Sequence, residues 1–142
     1  MCLMLYAASP APIALRIGSD ISVEKVAADH DVRQWFSLPE VRYVGSHSGC
    51  GCGFPSVASE TPVEYYDGIF DDAEERAEDL ASVHALLGII DESIAAAGTI
   101  ELLAIWAGGE GEPPSGVIEV KRAELEAEKF FLMEDFLYRV TA

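Results

Sequence analysis

His47, Cys50 and Cys52 fall within six residues of the run Gly45-Ser46-His47-Ser48-Gly49-Cys50-Gly51-Cys52-Gly53-Phe54-Pro55. One imidazole nitrogen and two thiolate sulfurs are the donors a borderline-soft ion takes, which means zinc, iron or copper. Cysteines two apart present both sulfurs to one side of an extended backbone. The glycines between and beside them let that backbone bend, so that its N–H groups can approach a thiolate or an anion. Three ligands of a tetrahedral site are then at hand. The fourth would be Cys2, His30, His84 or a carboxylate, and a water in that place would make the site catalytic instead of structural. The expected metal set is His47, Cys50, Cys52 and Cys2, with zinc as the expected ion. Zinc sites commonly come as two chelating pairs at wider spacing, and this run supplies only one group. If the strand through Val44 stays extended, His47 faces away from the cysteines, so convergence requires a turn near Gly49.

The same atoms support thiol chemistry. His47 beside Cys50 or Cys52 would lower a thiol pKa, and the loop amides would hold the thiolate and a developing oxyanion. Alternatively, Cys50 and Cys52 would cycle between a dithiol and a strained short-loop disulfide. A nucleophile elbow is excluded, because the position between the paired glycines, where Ser or Cys should stand, is Gly51. Cys2, directly after Met1, would become an N-terminal nucleophile if Met1 were removed, with its own α-amino group as base. Against each of these stands the reading of small buried thiols in a glycine-rich turn, which leaves a non-enzymatic interaction module with a purely structural loop.

Elsewhere the chemistry is thin. Glu60, Glu64, Asp67, Asp71, Asp72, Glu74, Glu75, Glu78 and Asp79 surround a single Arg76. They lack the spacing of a calcium loop, and several fall where a helix N-terminus favours negative charge. Tyr65 and Tyr66 could line a pocket beside the cysteine loop. Trp35, Trp106, Phe130, Phe131 and Phe136 read as core. A phosphate loop, a zinc-protease helix motif and a dinucleotide fingerprint are all absent from the sequence.

These residues must be positioned by a small fold. The chain has 142 residues, half of them apolar, with 9 Lys+Arg against 25 Asp+Glu and a net charge of −16. That composition folds, and it fits one domain over 1–142 without a separate cofactor domain. A polyanion with scattered basic residues is a poor partner for nucleic acid or an anionic membrane. No signal peptide is expected from the start of the chain, nor a spanning helix of about 20 uninterrupted apolar residues. The absence of Asn excludes N-glycosylation, and three cysteines cannot close a disulfide framework, so a reducing cytoplasm is the expected compartment.

Cys2 to Ala7 reads as a buried strand ended by Ser9-Pro10, and Ile21, Val23 and Val26 alternate as a second strand. Asp29 or Asp31 would cap a short helix carrying Val32, Trp35 and Phe36 on one side and ended by Pro39. Val41–Val44 is a strand running into the glycine-cysteine loop. A helix from about Asp72 to Ala97 follows from Ala73, Ala77, Leu80, Val83, Leu87, Ile90 and Ile94 at helical spacing. Asp71 and Glu74 would form its capping box and Gly98 its stop. Ile100–Ala107 should be a central strand covered on both faces. Gly108–Pro114 is a solvent loop, Val117–Val120 a strand, Arg122–Glu128 one or two helical turns, and Phe130–Met133 with Phe136–Val140 a hairpin across Glu134-Asp135. The order favours an α+β fold: a mostly antiparallel or mixed sheet with one long amphipathic helix packed on a face.

The start Met1-Cys2-x-x-Leu5-Tyr6, together with Gly45-Ser46-His47-Ser48-Gly49-Cys50-Gly51-Cys52-Gly53-Phe54, resembles a group of small bacterial proteins without an assigned function. The resemblance implies a common fold reaching through the hydrophobic C-terminal strands, and a common loop. It implies no reaction.

Overall fold

The structure, a computed structural model, describes residues 2–57 and 73–142. Alternation decides its first strand. In β1 (Leu3–Ser9), Leu3, Leu5 and Ala7 pack into one apolar cluster while Tyr6 and Ala8 pack into another on the opposite face. A strand buried on both sides belongs in the middle of a sheet. β1 accordingly lies between β4 (Glu40–Ser46) and β6 (Thr99–Trp106), antiparallel to both. Outward from β4 come β3 (Ile21–Lys25) and β2 (Arg16–Ile17); outward from β6 come β9 (Phe136–Thr141) and β7 (Gly116–Lys121). The seven-stranded sheet therefore runs β2-β3-β4-β1-β6-β9-β7. It is mixed, because β7 and β9 pair in parallel. β5 (Ser56–Val57) and β8 (Leu132–Met133) form a separate parallel pair.

The helix α1 (Ala73–Ala97) packs on one face of this sheet and ends at Gly98, whose φ of +84° turns the chain into β6. Its Leu86, Ile89 and Ile90 are fully buried, and each such side chain contributes roughly 2 kcal/mol by leaving water. By length and composition, at a mean hydropathy of 1.4, Arg76–Ala97 could also cross a membrane. Its apolar side faces the sheet. The other sheet face is covered by Val26, Val32, Trp35, Phe36 and Leu38 around the 3₁₀ turn Asp31–Trp35. One helix on a mixed sheet is the α+β arrangement expected from the order of elements.

Several local expectations differ. The cap of the Asp31–Trp35 turn is His30, whose Nδ1 accepts from the Val32 N–H at 3.1 Å, and not Asp29 or Asp31. Arg122–Glu124 and Ala127–Lys129 are 3₁₀ turns. No hairpin joins 130–133 to 136–140. β9 inserts between β6 and β7, where its apolar side chains gain two strand neighbours, and β8 is left to pair with β5. The turn between them places Asp135 at φ +69°, a conformation in which Asp is among the few tolerated residues. Trp106 is not core: it is 44 % exposed, and its Nε1 donates to Glu134 Oε2 at 2.8 Å. Gly108–Pro114 is more than a solvent loop, since Glu110 accepts from the Tyr6 hydroxyl and, through its carbonyl, from Trp35 Nε1. The proposed capping box of α1, the Glu60–Asp72 carboxylates and Tyr65-Tyr66 lie outside the described residues or side chains.

Candidate metal centre

β4 remains extended through Gly45 and Ser46, two residues further than the strand expected from Val41–Val44. The chain then turns tightly. The Gly49 N–H donates to the Ser46 carbonyl at 2.9 Å and the Ser46 N–H to the Cys50 carbonyl at 2.8 Å, with Gly49 at φ +84°. Ser46 Oγ organises the loop: it donates to the Cys50 carbonyl at 2.6 Å and accepts from the Gly53 N–H at 3.0 Å. Gly51–Gly53 forms a 3₁₀ turn that Cys50 caps, so part of the loop is regular. Gly51 lies against the backbone of β1. A Cβ there would stand 2.9 Å from the Leu3 carbonyl oxygen and 3.0 Å from the Leu5 nitrogen, so only glycine permits this approach.

That approach brings Cys50 and Cys52 to the start of β1, where Cys2 stands. The three sulfurs all lie within 4.8 Å of one another, and none is in a disulfide. Zinc–thiolate bonds of about 2.3 Å in a tetrahedral site put sulfurs about 3.8 Å apart, so a small contraction of exposed side chains is enough to share one ion. Cys2 and Cys52 are exposed and Cys50 half-buried. Two backbone donors face the sulfurs from inside: the Leu3 N–H reaches Cys52 Sγ at 3.3 Å, and the Cys52 N–H reaches Cys50 Sγ at 3.4 Å. The Ser48 hydroxyl lies 3.6 Å from Cys50 Sγ.

These contacts divide the thiols. Partial burial pushes Cys50 up, but hydrogen bonds from the Cys52 thiol and N–H, the Ser48 hydroxyl and the Cys2 thiol outweigh it, and its pKa is lowered. Burial and the neighbouring Cys50 both raise Cys52. Tyr43 of β4 stands over the cluster, donating its hydroxyl to the Gly49 carbonyl at 2.9 Å. Burial first, and then the charges of Cys50, Glu24, Cys2 and Cys52, push its phenol up to about 12.

His47 is placed elsewhere. Its Nε2 lies 2.7 Å from Asp79 Oδ1 and its Nδ1 3.3 Å from Glu78 Oε2, both carboxylates on α1. Its N–H donates to Ser82 Oγ at 3.0 Å, and that hydroxyl donates on to the Asp20 carbonyl. Of the expected ligand set, Cys2, Cys50 and Cys52 come together among the described residues, and His47 stands outside their group. The reason is the strand itself, which stays extended up to Ser46 and then turns over 46–49 with His47 at the second position of the turn, so the imidazole is delivered to the helix. The proposed alternatives do not replace it. His30 caps its turn and packs against Tyr6 at 5.6 Å between rings, His84 is exposed on α1, and among the described residues no carboxylate joins the three sulfurs.

The chain matches no family model, no curated protein and no solved structure. Sequence reasoning missed Tyr43, Ser46 and Ser48. Ser46 and Ser48 lay inside the glycine-cysteine run and were available as loop-closing hydroxyls. Nothing in the sequence marks Tyr43, which reads as one more strand aromatic.

Proposed function

We propose that this chain binds one transition-metal ion, zinc-like in its preference for sulfur, through Cys2, Cys50 and Cys52. One observation carries the reading: three cysteine sulfurs from two segments 48 residues apart converge within 4.8 Å. Chance rarely gathers all the cysteines of a chain at one surface point. Thiolate is the ligand of choice for zinc, copper(I) and iron, and the N–H groups of Leu3 and Cys52 stabilise the anionic sulfurs that coordination needs. Three protein ligands leave a further position open to water or an incoming donor. A reducing, cytoplasmic compartment keeps the thiols competent for this role.

The test is metal analysis of the full chain purified without chelator under reducing conditions. One ion per chain is expected, together with proton release on binding, and it should be lost in Cys2→Ser, Cys50→Ser and Cys52→Ser. Absence of stoichiometric metal, with stability indifferent to both zinc and EDTA, removes the proposal.

A second reading is a thiol nucleophile at Cys50, favoured by the two donors that converge on its sulfur from the Cys52 N–H and the Ser48 hydroxyl. Alkylation of metal-free protein tests it: selective modification of Cys50 supports this role, and equal rates at all three cysteines exclude it.

A further inference from the structure

We infer that the ion this site selects is a soft monovalent ion of the copper(I) class, held in a three-coordinate shell of Cys2, Cys50 and Cys52 sulfurs. This rests on the metal-site reading and specifies its ligand. The donor set carries the inference. Among the described residues the group contains sulfur only, and the imidazole closest in sequence, His47, has both ring nitrogens turned to Asp79 and Glu78. Structural zinc takes four protein ligands. Catalytic zinc keeps a water and needs a neighbouring group to receive its proton. Among the described residues no fourth protein ligand stands in this group. A closed-shell monovalent ion is satisfied by three thiolates, and thiolates favour it, as they favour zinc, over the hard ions that take oxygen; the ligand count is what separates it from zinc.

Charge sets a condition that the site meets. Three thiolates around a monovalent ion leave an excess of two negative charges, which a buried site could not hold. Here Cys2 and Cys52 are exposed, and the N–H groups of Leu3 and Cys52 point at the sulfurs from the protein side. Solvent and these dipoles spread the charge. Among the described residues no carboxylate, which would draw hard cations, stands in the group.

The experiment uses the full chain, reduced and anaerobic, loaded with zinc and then titrated with cuprous ion buffered by a copper(I) chelator. Released zinc is read with a chromophoric dye, and the copper shell by X-ray absorption. One cuprous ion per chain should release all the zinc and show three sulfur neighbours with no nitrogen or oxygen. Cys2→Ser, Cys50→Ser and Cys52→Ser, each checked for folding by circular dichroism, should each lose the three-sulfur shell, and His47→Gln should keep it. Zinc that stays bound, or a copper shell of two sulfurs indifferent to Cys2→Ser, overturns this inference and leaves the metal-site reading standing. Retention of neither ion overturns both.

Discussion

Two polar clusters sit on the central strands of this sheet, and they are built in opposite ways. Glu101 of β6 is fully buried, yet its carboxylate accepts from the Ser37 N–H at 2.9 Å, the Ser37 hydroxyl at 2.8 Å, the Leu38 N–H at 3.2 Å and Arg139 Nε at 3.2 Å. A carboxylate offers about four acceptor sites, and here the chain fills them itself. The three thiols at the start of β1 face solvent, and the chain gives them only a few long contacts. A satisfied group ties the chain together and has nothing left for a ligand. Convergent groups with lone pairs to spare are where a ligand belongs. Glu101 is frame, pinning the 37–38 segment to the sheet; the sulfurs are site.

Substitution should separate the two roles. Glu101→Leu leaves the Ser37 and Leu38 N–H groups and Arg139 without their acceptor. Losing a buried partner of this kind costs several kcal/mol, and because Arg139 is about a third exposed the expected loss is about 3 kcal/mol. Urea unfolding measures it, and metal stoichiometry per folded chain should not change. Gly51→Ala forces a methyl into the β1 backbone, with its Cβ 2.9 Å from the Leu3 oxygen. Overpacking of this kind costs about 2 kcal/mol, and here it also pushes Cys52 away from Cys2. Unlike Glu101→Leu, it should lower stability and metal retention together. Retention unchanged in Gly51→Ala would mean that the close approach of the loop to β1 does not build the site.

The elements themselves were largely legible, because burial imposes period. The helix was readable from apolar residues at helical spacing between Ala73 and Ile94, and β6 from an apolar run too continuous for a surface strand. Pairing was not legible. The 136–140 segment reads as half of a local hairpin, but its partners β6 and β7 come from elsewhere in the chain, and nothing local encodes that. The site divided in the same way. Cys50 and Cys52 announced themselves by spacing and Cys2 was named as a fourth ligand, but the position of His47 depended on where the chain turned, and the turn over 46–49 contains it. Strand alternation raised that objection, and only the backbone at Gly49 resolves it. Glu101 reads in the sequence only as an acid interrupting an apolar run, and its role was not legible because its partners lie 64 and 38 residues away.

His47 gives a finer test of the division between frame and site. Its ring joins the loop to α1 through Asp79 and Glu78, so His47→Ala removes a partly buried hydrogen-bonded contact and should cost about 1 kcal/mol. Thermal unfolding measures the loss. One metal ion per chain should remain. Loss of the metal in a folded His47→Ala protein would move the imidazole into the site and restore the four-ligand set read from the sequence.

The smallest expected effect lies within the cluster, between two sulfurs two residues apart. Both feel burial, which disfavours the thiolate. At Cys50 the hydrogen bonds from Cys52, Ser48 and Cys2 win and lower its pKa, whereas at Cys52 the presence of Cys50 adds to burial and raises it. As pH rises in metal-free protein, Cys50 should therefore deprotonate first and Cys52 only after it. Alkylation followed site by site by mass spectrometry should give two rate profiles, with the Cys50 midpoint below that of an ordinary cysteine and the Cys52 midpoint above it. Ser48→Ala removes one of the donors to Cys50, so it should move the Cys50 profile up in pH and bring the two closer. A single coincident profile, unmoved by Ser48→Ala, would show that the donors do not discriminate between the sulfurs and that the cluster behaves as three equivalent exposed thiols.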